Sequence, residues 1–426
     1  MAVSSAGMIP TRYAEFTDSG ASLKHVSAAV RADAEDFFMR LKTILLLVVV
    51  ALGASGQALK MSPLPNPSGA ESLQAHWGVA SDGSPLLSWL EKSKDGSLTL
   101  RYAIRRGAQW SEPRTIVANR QFFRQPAESP SVISFPNGSL LAEWVEVPPG
   151  SGEAENLYVS ASKNGTQWTA PVMAHKDRSP VQHALASMSV SGDDEASLVW
   201  LEALKGEDAP SALKRTVVNS NGAVVKEETL DSDVCTCCPT SIVKTAKGLL
   251  VAYRDHSPQD IRDIGVIRFE NGRWQPSRIL NPDKWEINAC PVNGAAAAAK
   301  NNRVAIAWYT EAQDSPRTQL ALSNDGGVTF SKPIRISTGN SFGHTSVALD
   351  DDGNAIVSWL EEGSGDGVRL LARQVTSAGG AGPVLEVAQG AQRSIGYPRL
   401  LQAGSETWIA WGNSGNTKIQ TARLAK

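Results

Sequence analysis

The chain has no long block of either charge sign: 41 basic and 43 acidic residues are interspersed along 426 positions, for a formal charge of -2. That excludes the electrostatic footprint expected of a nucleic-acid groove or of a protein bound to an acidic membrane. Long apolar runs are also lacking. The one that stands out, Thr43-Ile-Leu-Leu-Leu-Val-Val-Val-Ala-Leu-Gly-Ala54, is too short to span a bilayer comfortably. Arg40 and Lys42 precede it and Ser55-Gly-Gln-Ala58 follows, the pattern of a secretory leader cleaved after Ala58. No cysteine follows the run closely, which argues against a bacterial lipoprotein. Cysteine is scarce throughout, with four residues in all.

Met39-Arg-Leu-Lys makes a normal start for such a leader. Translation is therefore expected to begin at Met39, with residues 1–38 an upstream artefact or disordered, 39–58 the leader, and 59–426 one domain. The alternative is an uncleaved anchor with a short cytoplasmic tail. In either case the body of the protein is expected outside the cytoplasm, secreted or periplasmic, without stable membrane insertion once the leader is removed. Thiols there meet an oxidising environment.

One phrase recurs seven times: a few apolar residues, an aromatic, and usually an acid two positions later. Its aromatics are Trp89, Trp144, Trp200, Tyr253, Trp308, Trp359 and Trp411, spaced about 51 to 56 residues apart, the range of four-stranded propeller blades. A second phrase follows some of them. Gly107-Ala-Gln-Trp-Ser-Glu-Pro113, Gly165-Thr-Gln-Trp-Thr-Ala-Pro171, Asn271-Gly-Arg-Trp-Gln-Pro276 and Gly327-Val-Thr-Phe-Ser-Lys-Pro333 each combine a turn, an aromatic and a strand-edge proline. These fit the hairpin between third and fourth strands. The expected fold is all-β, a seven-bladed propeller of four-stranded blades. The last repeat supplies about three strands, so the segment from Leu59 to Pro65 is expected to donate the fourth and close the ring, sparing an unpaired edge.

Ser323-Asn-Asp-Gly-Gly-Val-Thr-Phe330 resembles the Asp-box of sialidases and related BNR-repeat propellers, and Ser162-Lys-Asn-Gly-Thr-Gln-Trp168 is a shortened version. The resemblance covers the repeat region from about Leu59 to Lys426. It implies that Asp325 bonds its own turn on the outer rim and is not catalytic. It also offers an alternative count, since sialidases are six-bladed. A sialidase-type glycoside hydrolase would clamp a substrate carboxylate with arginines, here Arg254, Arg262 and Arg399 by position. Tyr397 would be the nucleophile, and Asp255 or Asp263 the acid. The family's early Arg-Ile-Pro phrase is missing, because no arginine occurs between Met61 and Leu100.

In a propeller the residues just before each innermost strand ring one mouth of the channel. Reading upstream of each repeated aromatic gives His76, Glu128 with Ser129, His183, Cys238, Cys290, His344 and Tyr397. The densest stretch is Asp231-Ser-Asp-Val-Cys-Thr-Cys-Cys-Pro-Thr240, and Asn288-Ala-Cys-Pro-Val-Asn-Gly294 repeats its Cys-Pro. Convergence of cysteine and histidine about one axis is the pattern of a metal or catalytic site. Two readings of the cysteines stay open. Cys235 or Cys238 joined to Cys290 would staple neighbouring blades, although adjacent Cys237 and Cys238 cannot pair without strain. Alternatively Cys235, Cys237, Cys238 and Cys290, with His183 or His344, hold a soft ion, copper or zinc.

The acids after the aromatics, Glu91, Glu146, Glu202, Asp255 and Glu361, read as solvated loop starts apart from Asp255, which Arg254, Arg262 and Asp263 accompany. Trp285 reads as a loop anchor or a stacking surface for a ligand. The main functional expectation is an exported propeller with a cysteine- and histidine-rich ligand or metal site at its channel mouth. A sialidase-type hydrolase is the first alternative and a protein-binding platform the second. The expected partner is a small molecule or glycan, the expected state a monomer.

Overall fold

The structure is a computed structural model that describes residues 55–150, 154–204, 210–391, 394–412 and 418–426. Nearly all of the expected leader, and the whole of residues 1–38, lie outside these. Among the described residues no helix is long and apolar enough to cross a membrane, and the only helical element is a short 3-10 turn, Ala312–Asp314.

The repeated phrase falls each time on the second strand of a sheet: Pro85–Lys92, Leu140–Glu146, Glu195–Ala203, Gly248–Arg254, Arg303–Thr310, Ala355–Glu362 and Glu406–Trp411. Both faces of these strands are largely buried, which is why they read as near-continuous apolar runs rather than as alternation. Each strand hydrogen-bonds antiparallel to its neighbours. The result is seven sheets, a seven-bladed β-propeller, and the six-bladed count is set aside. Lys60–Pro63 pairs antiparallel with Gln420–Ala425 and supplies the fourth strand of the seventh sheet.

Two of the sheets have five strands, because the third strand pairs with two short outer pieces. In blade 1 these are Gln109–Trp110 and Arg114–Ala118, and in blade 4 Arg273–Trp274 and Arg278–Ile279. Pro113 and Pro276 sit in the gaps. A proline has no N–H to give the ladder, so the outer strand is interrupted there.

Trp89, Trp144, Trp200, Trp308 and Trp359 are fully buried, and Tyr253 replaces tryptophan in blade 4. Each such indole removes about 4–6 kcal/mol worth of apolar surface from water before entropy is counted. Trp411 differs from the other six and is only half-buried. The indole N–H groups also need acceptors in this dry setting. Trp89 donates to Glu91 at 3.1 Å and Trp144 to Glu146 at 2.6 Å. Residues two apart on a strand share a face, so the acid of the repeat is in these blades the acceptor for its own tryptophan. The expectation of solvated loop starts is corrected for Glu91 and Glu146. It is corrected for Glu361 too, which is fully buried and accepts the N–H of Thr338 at 2.7 Å.

The Asp-box closes on itself. Asp325 accepts the backbone N–H of Thr329 at 2.9 Å and the hydroxyl of Ser323 at 2.8 Å. Burial opposes its ionisation, but hydrogen bonds from Thr329 and Ser323 outweigh that and hold the carboxyl down at about 2. Gly327, at φ +83°, abuts the next-door blade so closely that a Cβ would lie 2.2 Å from Leu250. In the shortened box Asn164 accepts from Thr166 and Gln167 in the same way.

Candidate functional site at the channel mouth

A cavity of about 210 Å³ runs between the innermost strands, and all seven blades line it, among them His76, Ser129, Ser187, Pro239, Gly294, Thr345 and Arg399. Of the expected ring, His76, Ser129 and Tyr397 line this cavity, and Glu128, His183, Cys238, Cys290 and His344 do not. What gathers at the mouth is more divided than the sequence suggests.

The cysteines come together. Cys235 Sγ lies 3.4 Å from Cys238 Sγ and 3.8 Å from Cys237 Sγ, and Cys237 Sγ lies 3.9 Å from Cys238 Sγ. These three thiols are buried and Cys290 is exposed. The Cys290 sulfur is 3.9 Å from Thr236 Oγ1 and stands outside the group of three sulfurs that lie within 4.8 Å of one another. All four are free thiols, so the cross-blade disulfide of Cys235 or Cys238 with Cys290 is not formed. A short hydrogen-bonded turn brings three sulfurs from four consecutive positions to one point. Its anchor is the Cys235 N–H, which donates to the Arg254 carbonyl at 3.1 Å.

The sulfurs are electrostatically unequal. Hydrogen bonding with Cys237 and then with Cys238, with the Arg254 charge nearby, holds the Cys235 thiol below its usual range. The Arg262 guanidinium donates to its sulfur at 3.3 Å. Cys238 is pushed up, chiefly by burial, and Cys237 is pushed up as the donor to Cys235. Cys290 is lowered to about 7, led by its hydrogen bond from Cys237. The cluster thus sets the Cys235 sulfur between two neighbouring thiols and the Arg262 guanidinium.

The histidines do not join it. Among the described residues, the ligand atoms that gather within 4.8 Å of one another form two separate groups, Cys235 with Cys237 and Cys238, and His183 with Asp177 and Glu202. His344 has φ +49° and turns toward blade 7, where its ring stacks on Tyr397 at 3.9 Å and its Nδ1 bonds the Gly396 carbonyl at 2.8 Å. Placing His183 and His344 among the cysteine ligands is corrected: strand register and backbone conformation direct both rings elsewhere.

A model of the BNR repeat-like domain matches residues 90–407. The chain belongs to the BNR repeat-like family. This BNR propeller shares its fold with a protein of unknown function from Dyadobacter fermentans, at 12% identity over 86% of this chain and 98% of that one, TM-score 0.50. It shares it also with a PL25 ulvan lyase, at 10% identity over 86% and 94%, TM-score 0.53. The NanB sialidase of Streptococcus pneumoniae is similar at 13% identity over 87% and 70%, TM-score 0.41. Among curated proteins, no sequence matches the chain.

In this BNR propeller the residues singled out for a sialidase-type reaction are held as follows. Arg254 is buried, and its guanidinium donates to the carbonyls of Asn293, Arg262 and Tyr309 at 2.7, 2.6 and 2.8 Å while lying over the Trp285 ring. Asp263 accepts the N–H groups of Lys284 and Trp285 at 2.9 and 3.1 Å. Trp285, packed edge-on against Tyr309, is the loop anchor. Tyr397 donates to the Val292 carbonyl, and burial raises its phenol above the usual range. Arg399 lies between Tyr397 and the buried acids Glu128 and Glu143. Asp255 is raised to about 7, first by burial and then by the charge of Asp231. Arg254 and Asp263 therefore brace the loop that carries Cys290, a role the sequence could have signalled only through their nearness to the cysteines.

Proposed function

We propose that this chain is an exported BNR propeller that binds one soft metal ion, copper(I) or zinc, through Cys235, Cys237, Cys238 and Cys290 at its channel mouth. The observation that carries the reading is the sulfur geometry. Metal–sulfur bonds of about 2.3 Å in a tetrahedral site place sulfurs about 3.8 Å apart, and the three buried sulfurs stand 3.4, 3.8 and 3.9 Å apart. Disulfide bonding needs about 2.0 Å. Arg254 and Arg262 would keep the ligand loops and the Cys235 sulfur in place, and ion binding would release thiol protons.

Export rests on the leader at residues 39–58 and places the site in a secreted or periplasmic setting. The test is metal content of the full chain, expressed with its own leader and purified without chelator or affinity tag. Near-stoichiometric copper or zinc, lost in Cys237→Ser, is expected. Absence of both ions after anaerobic reconstitution, with all thiols titratable, would remove the proposal.

One observation favours a glycan ligand as a second reading. A groove of about 460 Å³ beside the mouth is lined by Tyr397, the half-buried Trp411, Lys92 and Arg124. That size suits a small ligand, with an aromatic face for a sugar ring and Arg124 as the cation for an acidic group, since Glu71, which also lines the groove, pairs with Lys92 at 3.7 Å. Binding of acidic oligosaccharides that is weakened by Trp411→Ala and unaffected by Cys237→Ser would establish it. Turnover of a sialoside by the parent chain, retained in Cys237→Ser and lost in Trp411→Ala, would make it an enzyme.

A further inference from the structure

The geometry points to a second cation site, independent of the cysteines: Asp177, His183 and Glu202 of blade 3 form a binding site for a divalent first-row transition ion. His183 opens the innermost strand His183–Val190 and stands directly across from Glu202 on the neighbouring strand. Asp177 comes from the loop before it.

His183 is fully buried, and its Nδ1 lies 3.0 Å from the carbonyl oxygen of Glu155. A carbonyl can only accept, so Nδ1 carries the hydrogen and in the neutral ring Nε2 presents a lone pair. That Nε2 has no hydrogen-bond partner, and neither has Glu202 Oε2. Nε2 faces Asp177 Oδ2 at 3.7 Å and Glu202 Oε2 at 3.9 Å. Asp177 Oδ2 accepts the Ser179 hydroxyl and keeps a second lone pair, so three electron-pair donors converge, two of them without a hydrogen-bond partner.

Two cations would resolve this, a proton on Nε2 or a metal ion, and distance decides between them. An N–H to oxygen hydrogen bond spans about 2.7–3.2 Å, shorter than either separation. Metal–nitrogen and metal–oxygen bonds of about 2.0–2.2 Å put neighbouring donors about 3–4 Å apart. The pair of separations fits a shared ion. A ligating histidine usually gives its other ring N–H to a carbonyl, as His183 does. Lys214 Nζ lies 3.4 Å from Glu202 Oε1, the other carboxylate oxygen, so Oε2 stays turned to His183. His175 stacks on the His183 ring at 3.8 Å and fixes its plane. One imidazole and two carboxylates suit manganese(II) or zinc(II) rather than copper(I).

Manganese(II) is the probe that separates this site from the thiols, because it favours oxygen and nitrogen donors. Loss of the free-ion EPR signal on titrating the full chain is expected to report one bound ion. Glu202→Gln should weaken it at least tenfold, and Cys237→Ser should leave it unchanged. Asp177→Asn, in the more exposed loop, is the variant to rely on should Glu202→Gln fail to fold. Equal binding by the parent chain, Asp177→Asn and Glu202→Gln would overturn the proposal. So would no binding at all, and ¹⁵N shifts showing His183 protonated on both nitrogens at neutral pH would then make the cluster an ion pair.

Discussion

Blades 1 and 3 carry the same phrase, a buried tryptophan followed two residues later by glutamate, and they use the glutamate differently. In blade 1 Trp89 donates to Glu91. In blade 3 Trp200 donates instead to Thr216 Oγ1 at 3.0 Å, and Thr216 donates onward to the Ala174 carbonyl at 2.8 Å. The difference lies on the third strand. The residue paired with Leu198, two before Trp200, is Thr216, whereas the residue paired with Leu87, two before Trp89, is Ala103. An alanine offers no acceptor, so blade 1 needs its acid for the fold. The hydroxyl in blade 3 releases Glu202 to face His183. A repeat position thus keeps its chemical type while a neighbour decides whether that chemistry is structural or available.

The largest effect that tests this separates core from mouth. Trp89→Ala is expected to cost about 3–5 kcal/mol in denaturant unfolding, as for a large aromatic lost from a core. Trp411→Ala, at the same repeat position but half-buried, should cost less than about 1.5 kcal/mol. Equal losses would mean that the seventh blade is packed like the others.

A second test asks whether the structural acids set the pH dependence. Glu143 is fully buried, and burial, partly opposed by the Ser131 hydrogen bond and the Arg399 charge, raises its carboxyl to about 7. A carboxyl raised in the folded state keeps its proton there after the unfolded chain has lost it. Stability should therefore fall as pH rises from about 4.5 to about 7, and level off above. Glu143→Gln is expected to flatten that decline by on the order of 3 kcal/mol across the window. The same slope in the variant would assign the pH dependence to other groups.

The smallest effect is the most specific. Thr216→Val keeps the shape and removes the acceptor, leaving the Trp200 N–H unsatisfied at about 1–3 kcal/mol. If Glu202 then turns to the indole, manganese(II) affinity should fall as well. A stable variant with unchanged affinity would show that the hydroxyl is not what frees the acid.

The architecture was legible because it is periodic. Seven aromatics at one spacing, a turn-aromatic-proline phrase and an Asp-box all report backbone geometry, and each landed on the expected strand or hairpin. The cysteine cluster was legible for a local reason, since three thiols within four residues cannot separate far. The histidines were not. Position before an innermost strand places a residue at the mouth but leaves open which way its ring turns. That direction depends on the opposite strand for His183 and on a left-handed backbone for His344. The indole acceptors could have been read, since an acid two residues from a buried tryptophan on a strand must share its face. Arg254 misled for the opposite reason: an arginine beside an aspartate suggests a substrate clamp, yet its donors go to three backbone carbonyls, one in its own blade and two in the next.

The cross-strand pairing of His183 with Glu202 has a consequence for how such propellers evolve or can be engineered. Blades 1 and 6 set an acid of the same repeat position opposite a serine, Ser72 across from Glu91 and Ser341 across from Glu361. In blade 1, however, Glu91 is held by Trp89, and in blade 6 Glu361 is held by Thr338. A histidine at Ser72 or Ser341 would therefore complete the couple only where another group relieves the acid, as Thr216 does in blade 3. The scaffold repeats the placement of the ligand pair, and the neighbouring strand decides whether the pair is available.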